Sequence, residues 1–118
     1  MDTEELKRRT KRFGVDVIAL IRDLPPEVTA GHIGHQLVKS STAVGANYRA
    51  SCRAKSKADF VSKMGTVEEE TDESLYWLEV LVDSHIVTAN SIGRLLDEGN
   101  QLLKIVVASI NTARGGSR

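Results

Sequence analysis

The sequence predicts an all-α protein in which residues 1–118 form one domain, an up-down-up-down antiparallel four-helix bundle. Apolar residues recur at spacings of three and four along nearly the whole chain, which is the period of an amphipathic helix. No segment shows the alternating pattern of a strand. Short connections place consecutive helices antiparallel, and we expect the helices at about 3–24, 30–53, 57–85 and 89–113.

The first predicted helix has one apolar face and ends at two prolines. Pro25 and Pro26 cannot donate a backbone hydrogen bond, and a residue that precedes proline avoids the helical region. The sequence therefore predicts that this helix ends just before the pair. Its inward face is expected to contain Leu6, Thr10, Phe13, Val17, Leu20 and Leu24.

The second predicted helix is rich in small residues. Gly45 lies in its middle, where glycine costs about 1 kcal/mol relative to alanine, and this indicates that a neighbouring helix approaches closely. Asn47 is expected to be a buried amide that fixes the packing register by hydrogen bonding, with a ligand contact as the alternative. The inward face is expected to contain Ile33, Leu37, Ser40, Val44 and Tyr48.

The third and fourth helices have recognisable starting signals. Ser56 and Asp59 fit a capping box, in which the hydroxyl accepts an early amide and the acid reaches back, and Thr88 is a candidate cap later in the chain. The inward residues expected for the third helix are Phe60, Met64, Val67, Thr71, Leu75, Leu78 and Val82. Those expected for the fourth are Ala89, Ile92, Leu96, Leu103, Val106 and Ile110.

Composition limits the classes of function. The chain has 16 basic and 16 acidic residues and a formal net charge of zero, so attraction to nucleic acid or anionic lipid would need local charge segregation. A single cysteine, Cys52, excludes an internal disulfide and favours a reducing compartment. The charged N-terminus is unlike a secretory signal, and no apolar run could span a membrane. We expect a cytoplasmic protein without membrane contact.

Basic residues cluster where the second helix turns into the third. Arg49, Arg53, Lys55 and Lys57 are expected at one end of the bundle, where they could hold a phosphate backbone of RNA or DNA. The alternative is a solvated end without a ligand, because Asp59 and Lys63 have the spacing of a local helix pair.

The third helix carries an acidic run and a tryptophan. No lysine or arginine lies between Met64 and Gly93, so relief of the repulsion is expected from Arg8, Arg9, Arg12 or Lys39, either in the same chain or in another copy. The candidate oligomer interface consists of Glu70, Glu73, Trp77 and Leu81, an aromatic anchor with a charged rim. The alternative is that the core extends as far as Trp77.

No pattern of catalytic residues is present. Arg49 and Arg53 could lower the pKa of Cys52, but no histidine accompanies it at a suggestive spacing, so a structural thiol is favoured. His32, His35 and the carboxylates lack metal-ligand spacing. The sequence therefore predicts a protein that is not an enzyme and has no metal and no cofactor.

The segment Gln36–Leu81 closely resembles the signature of a bacterial four-helix-bundle family, the 23S rRNA-intervening sequence proteins. The matching residues are Gln36-Leu37, Ser40, Ala46-Asn47, Arg53, Ser56, Asp59-Phe60 and the stretch from Glu70 to Leu78, together with the proline pair and Leu102–Arg114. That family is similar in fold to the accessory variability proteins of diversity-generating retroelements, which bind a reverse transcriptase and nucleic acid. The resemblance implies a homopentameric barrel.

Two functions follow as expectations. The first is a non-enzymatic homo-oligomer, a pentamer, with a scaffold or accessory role. The second is a module that binds structured RNA or DNA through its basic helix-hairpin end.

Overall fold

The computed structural model describes residues 1–115 of the chain. Four α-helices make up the fold: α1 (Thr3–Arg22), α2 (Val28–Ser51), α3 (Lys57–Asp83) and α4 (Gly93–Ala113). A short 3-10 helix, Asn90–Ile92, precedes α4. No strand occurs within residues 1–115, and the predicted all-α four-helix bundle is confirmed.

Side-chain hydrogen bonds to backbone amides cap α1 and α3 at their N-termini. The Asp2 carboxylate accepts the Glu5 amide at 2.8 Å and caps α1. The Ser56 hydroxyl accepts the Asp59 amide at 3.0 Å and caps α3, as the capping box predicts. The Asp59 carboxylate reaches back one residue further than expected and accepts the Lys55 amide at 3.0 Å. Thr88 Oγ1 accepts the Ser91 amide at 3.2 Å. The N-cap of the 3-10 helix is nevertheless Ala89 and that of α4 is Ile92, so the candidate role of Thr88 as the cap of the fourth helix was wrong.

Packing places the helices at the corners of a square. α2 packs on α1 and on α3, α4 packs on α3, and the contact between α1 and α4 is the least extensive of these. α1 and α3 are therefore diagonal to each other and run in the same direction. The bundle measures 46 × 25 × 20 Å.

The core contains most of the residues predicted for it. Phe13, Leu37, Met64, Leu78 and Val106 are among the fully buried side chains. The prediction was wrong for α4 at two positions, because Ala89 precedes the helix and is exposed, and Leu102 is fully buried where Leu103 was expected. The inward face of α4 is Gly99, Leu102, Val106 and Ile110.

Small residues let α2 approach its neighbours. A Cβ added to Gly45 would lie 3.2 Å from the backbone N and Cα of Lys11, so α1 and α2 are in close contact, as the glycine in mid-helix indicated. On the other side of α2, the hydroxyls of Ser40 and Ser74 lie 2.9 Å apart in the interior between α2 and α3. Small side chains therefore take the place of larger apolar ones where these helices approach each other closely.

Asn47 does not form the hydrogen bond between helices that was expected to fix the packing register. Asn47 is half-buried, and its Nδ2 donates to the Ala43 carbonyl of its own helix at 2.8 Å. The buried polar contact between helices is instead the Ser40–Ser74 pair. Asn47 therefore stabilises α2 locally, and the prediction that it fixes the packing register between helices was wrong.

Candidate functional site

The outer face of α3 is acidic and has an aromatic centre. Its exposed residues follow one helical stripe, Glu69, Asp72, Glu73, Tyr76, Glu79 and Asp83, and we call this the acidic-aromatic face. Within residues 1–115, none of its carboxylates forms an ion pair. Tyr76 is 57% exposed, which is unusual for so large an apolar ring. The predicted interface omitted Tyr76, although its position in the stripe of acids marked it.

Trp77 lies at the edge of this face and also contacts the core. It is half-buried and packs against the core residues. Its indole N–H donates to Glu73 Oε2 at 3.1 Å, and its ring meets that of Tyr76 edge-to-face with 5.0 Å between centroids. The core therefore extends to Trp77, as one of the two interpretations expected, and its ring also contacts Tyr76. A role of Trp77 in an oligomer interface stays a prediction.

Two other predicted interface residues occupy different environments. Leu81 has 0% of its surface exposed, so it belongs to the core of its own bundle and we remove it from the interface. Glu70 is half-buried. Burial raises the pKa of the Glu70 carboxyl above its ordinary value, and the Glu73 carboxylate adds to this effect while Lys39 opposes it.

The diagonally opposite helix presents a basic face. Val15 of α1 is 45% exposed, and cations surround it. These are Arg8, Lys11 and Arg12 of α1, together with Arg49 of α2 across a shallow apolar cleft of about 250 Å³. We call these five residues the basic face. Arg12 pairs with Asp16 at 3.0 Å, whereas Arg8, Lys11 and Arg49 have no ion pair within the described part of the chain.

One cation expected to relieve the acidic run has a different role. Arg9 forms a two-pronged contact with Glu98 of α4, from Nε to Oε2 at 2.9 Å and from Nη2 to Oε1 at 2.6 Å. It also donates to Gln101 at 3.1 Å. Arg9 therefore holds α1 to α4, whereas Lys39, another of the predicted candidates, acts electrostatically on Glu70 of α3.

The basic helix-hairpin end is solvent-facing. Arg49, Arg53, Lys55 and Lys57 are all exposed, and no ion pair involves any of them within residues 1–115. The nearby Asp59 is engaged by Lys63 at 2.6 Å, and that contact lowers the pKa of the Asp59 carboxyl. The four cations are thus available to a ligand or to solvent.

A cleft of about 490 Å³ lies beside this end and contains Cys52. Tyr48 lines it, and burial raises the pKa of the Tyr48 hydroxyl to about 12, with further contributions from Cys52. No histidine lines the cleft in the described structure. The residues that surround Cys52 therefore do not bring together the thiol, histidine and acid that a catalytic site would require.

Two further features are absent from residues 1–115, a metal-binding cluster and a membrane-spanning helix. No group of three or more histidine, cysteine or acidic residues there is arranged to hold a metal ion. None of the described helices is both long enough and apolar enough to cross a membrane.

Fold and surface together define a small all-α bundle protein with two oppositely charged faces. The sequence profile of the 23S rRNA-intervening sequence proteins matches residues 3–108, and the chain belongs to that family. A crystal structure from Bacteroides thetaiotaomicron, of a protein of unknown function from the S23 ribosomal protein family, is similar at a TM-score of 0.86 and 27% identity. The match covers 94% of this chain and 99% of that one. No curated protein is significantly similar to this sequence.

Proposed function

We propose that this protein is a non-enzymatic scaffold that acts as a homo-oligomer, a pentamer as the family resemblance implies. One observation carries the proposal: the acidic-aromatic face is solvent-exposed around Tyr76 and is not neutralised within the described chain. Uncompensated carboxylates four residues apart repel each other along a helix, and an exposed aromatic anchor with a charged rim is typical of protein interfaces. Association with another copy would reduce the repulsion between the carboxylates and would bury the exposed aromatic side chain.

Solution mass tests the proposal directly. Light scattering coupled to size exclusion should give the wild-type protein a mass of about five times the 12.9 kDa chain at micromolar concentration. Tyr76→Ala should shift the population to smaller species, because it removes the aromatic anchor while leaving the core intact. Val28→Ala removes another exposed apolar side chain (77% exposed) and serves as the matched control. A monomeric wild-type protein would refute the proposal.

A second candidate function is the binding of structured RNA or DNA through Arg49, Arg53, Lys55 and Lys57. Its support is that all four are exposed and form no ion pair within residues 1–115, and an oligomer would multiply this weak patch. An acid nearby opposes it, because the Asp2 carboxylate is close enough to act on the Tyr48 hydroxyl at the same end of the bundle.

A salt series separates this candidate from a solvated end. Counterion release predicts a steep loss of affinity between about 50 mM and 200 mM salt. Arg53→Glu with Lys57→Glu should abolish binding, whereas Arg94→Glu with Lys104→Glu, at exposed positions of α4, should preserve it. Absence of binding at the lower salt concentration excludes the candidate.

A further inference from the structure

The two charged faces have matching patterns. Tyr76 has acidic residues seven, four and three positions before it and seven after it: Glu69, Asp72, Glu73 and Asp83. Val15 has basic residues at the same four offsets: Arg8, Lys11, Arg12 and Arg22. All of these residues except the two central ones are charged, and all ten are exposed. The acidic-aromatic face and this stripe of α1 are therefore complementary in charge at these four offsets when two helices lie parallel. Three positions after the two centres, Glu79 corresponds to the apolar Ile18.

The fold places both faces at the same level along the bundle. α1 and α3 run in the same direction at diagonal corners. Phe13 and Leu75 meet at one level, because both lie against Gly99, within 3.3 Å and 2.7 Å of a Cβ built there. Val15 is two residues beyond Phe13 and Tyr76 is one beyond Leu75, so the two centres differ in height by only about 1.5 Å. A neighbouring copy needs almost no axial shift to bring the faces together.

One chain cannot join these faces by itself, because its own bundle separates them. From this geometry we infer that the acidic-aromatic face of one copy docks, parallel and in register, on the basic face of the next copy, with Tyr76 against Val15. The inference rests on the proposed self-association and specifies its surfaces. Such a contact is head-to-tail, since each copy uses two different patches.

Charge reversal tests the docking. One variant reverses the basic face with Arg8→Glu, Lys11→Glu and Arg12→Glu, and another reverses the acidic-aromatic face with Glu69→Lys, Asp72→Lys and Glu73→Lys. Each variant alone should have the mass of a single chain, because like charges then meet. An equimolar mixture should regain assembly as heterodimers and longer alternating species, because each reversed face finds a complementary face on the other variant. A closed ring of five cannot alternate two variants throughout, so the mixture is not expected to reproduce a wild-type pentamer. Arg94→Glu with Lys104→Glu is the control and should remain assembled.

The possible results separate three conclusions. A monomeric wild type overturns the proposed function itself. A wild type that assembles, with reversal variants that also assemble, overturns only this docking. If the folded variants are monomeric and their equimolar mixture also stays monomeric, the docking is likewise overturned while the proposed function is not. Reversal of the basic face that removes nucleic-acid binding while assembly persists would assign that face to nucleic acid and would also overturn the docking.

Cross-linking keeps the inference testable if a triple variant fails to fold. In a Cys52→Ser background, one chain carries Lys11→Cys and another carries Asp72→Cys, each at an exposed position four residues before its centre, so that Tyr76 and Val15 stay in place. Mild oxidation of the mixture should give a covalent pair of the two chains, and either chain alone should give none. A matched mixture with Lys104→Cys in place of Lys11→Cys should not cross-link. Failure of the Lys11→Cys and Asp72→Cys mixture to cross-link, with assembly intact, contradicts the proposed contact.

Discussion

The hydroxyls of Ser40 and Ser74 lie 2.9 Å apart between α2 and α3, and both side chains are almost completely buried. Each is also within reach of a carbonyl of its own helix, Leu37 at 3.3 Å and Glu70 at 2.8 Å. Each hydroxyl has one proton, so one serine donates to the other while the acceptor donates to its own helix. This pair is the buried polar link between the two helices.

Loss of the link should be measurable. Ser74→Ala should lower the free energy of unfolding by about 1 kcal/mol, the usual net value of a hydrogen bond. A double-mutant cycle with Ser40→Ala, measured by urea denaturation at one protein concentration, should show coupling of at least about 0.5 kcal/mol. Ser62→Ala, at an exposed position of α3, is the control and should change little. Additive single effects would show that the serines act independently.

Two mid-helix glycines should respond in opposite ways to alanine. Gly65→Ala should stabilise the fold by up to about 1 kcal/mol through helix propensity, because nothing lies within 4 Å of the added Cβ. Gly45→Ala should destabilise it by about 1 kcal/mol, because overpacking outweighs propensity where the obstacle is helix backbone. Thermal unfolding of both variants checks this. Stabilisation by Gly45→Ala would show that α1 can move away at little cost.

Glu70 should make stability depend on pH. Its pKa is raised in the folded state, so the folded protein holds this proton more tightly than the unfolded chain does. The free energy of unfolding should therefore fall as pH rises from the ordinary value of 4.5 through the raised one. The neighbouring charges are Glu73 and Glu69 of α3 and Lys39 of α2.

Removal of the Glu70 carboxylate should remove this dependence. Glu70→Gln should be more stable than the wild type near pH 7, and the advantage should disappear below pH 4.5, where the wild-type carboxyl is protonated in both states. Glu79→Gln, at an exposed position of the same helix, is the comparison. Denaturant titrations across this range provide the measurement, and an advantage that persists in acid would contradict the electrostatic explanation.

The contact between Arg9 and Glu98 should stabilise the fold by more than an exposed pair does. Arg9→Lys keeps the charge but loses the two-pronged geometry, so we expect a loss of about 1 kcal/mol. Lys7→Ala breaks the exposed pair with Glu4 (3.2 Å) and should cost no more than about 0.5 kcal/mol. Chemical denaturation of both variants compares them. Equal losses would indicate that Arg9 contributes only as a surface charge.

The sequence predicted the fold well because helical periodicity depends on local spacing. Phe13, Met64 and Leu78 are buried as their spacing indicated. The errors arose where spacing alone was ambiguous. Leu102 and Leu103 are adjacent leucines, and the structure buries Leu102, on the same inward face as Gly99, Val106 and Ile110.

The candidate site was harder to predict because it depends on relations between helices. The acidic run on α3 was visible, but the diagonal placement of α1 and α3 and their common level were not. Leu81 looked like a continuation of the Trp77 stripe, yet the bundle buries it completely. Asn47 looked like a link between helices, and its amide instead bonds to Ala43 in its own helix.

The sparse contact between α1 and α4 has a consequence for how the protein folds. α1 and α4 meet through residues that are far apart in sequence, such as Arg9 and Glu98, which are separated by 89 positions. Closing so long a loop is slow, whereas the hairpin of α2 and α3 involves nearby partners. We expect that hairpin to nucleate folding, with the first and last helices joining late and exchanging their amide hydrogens soonest.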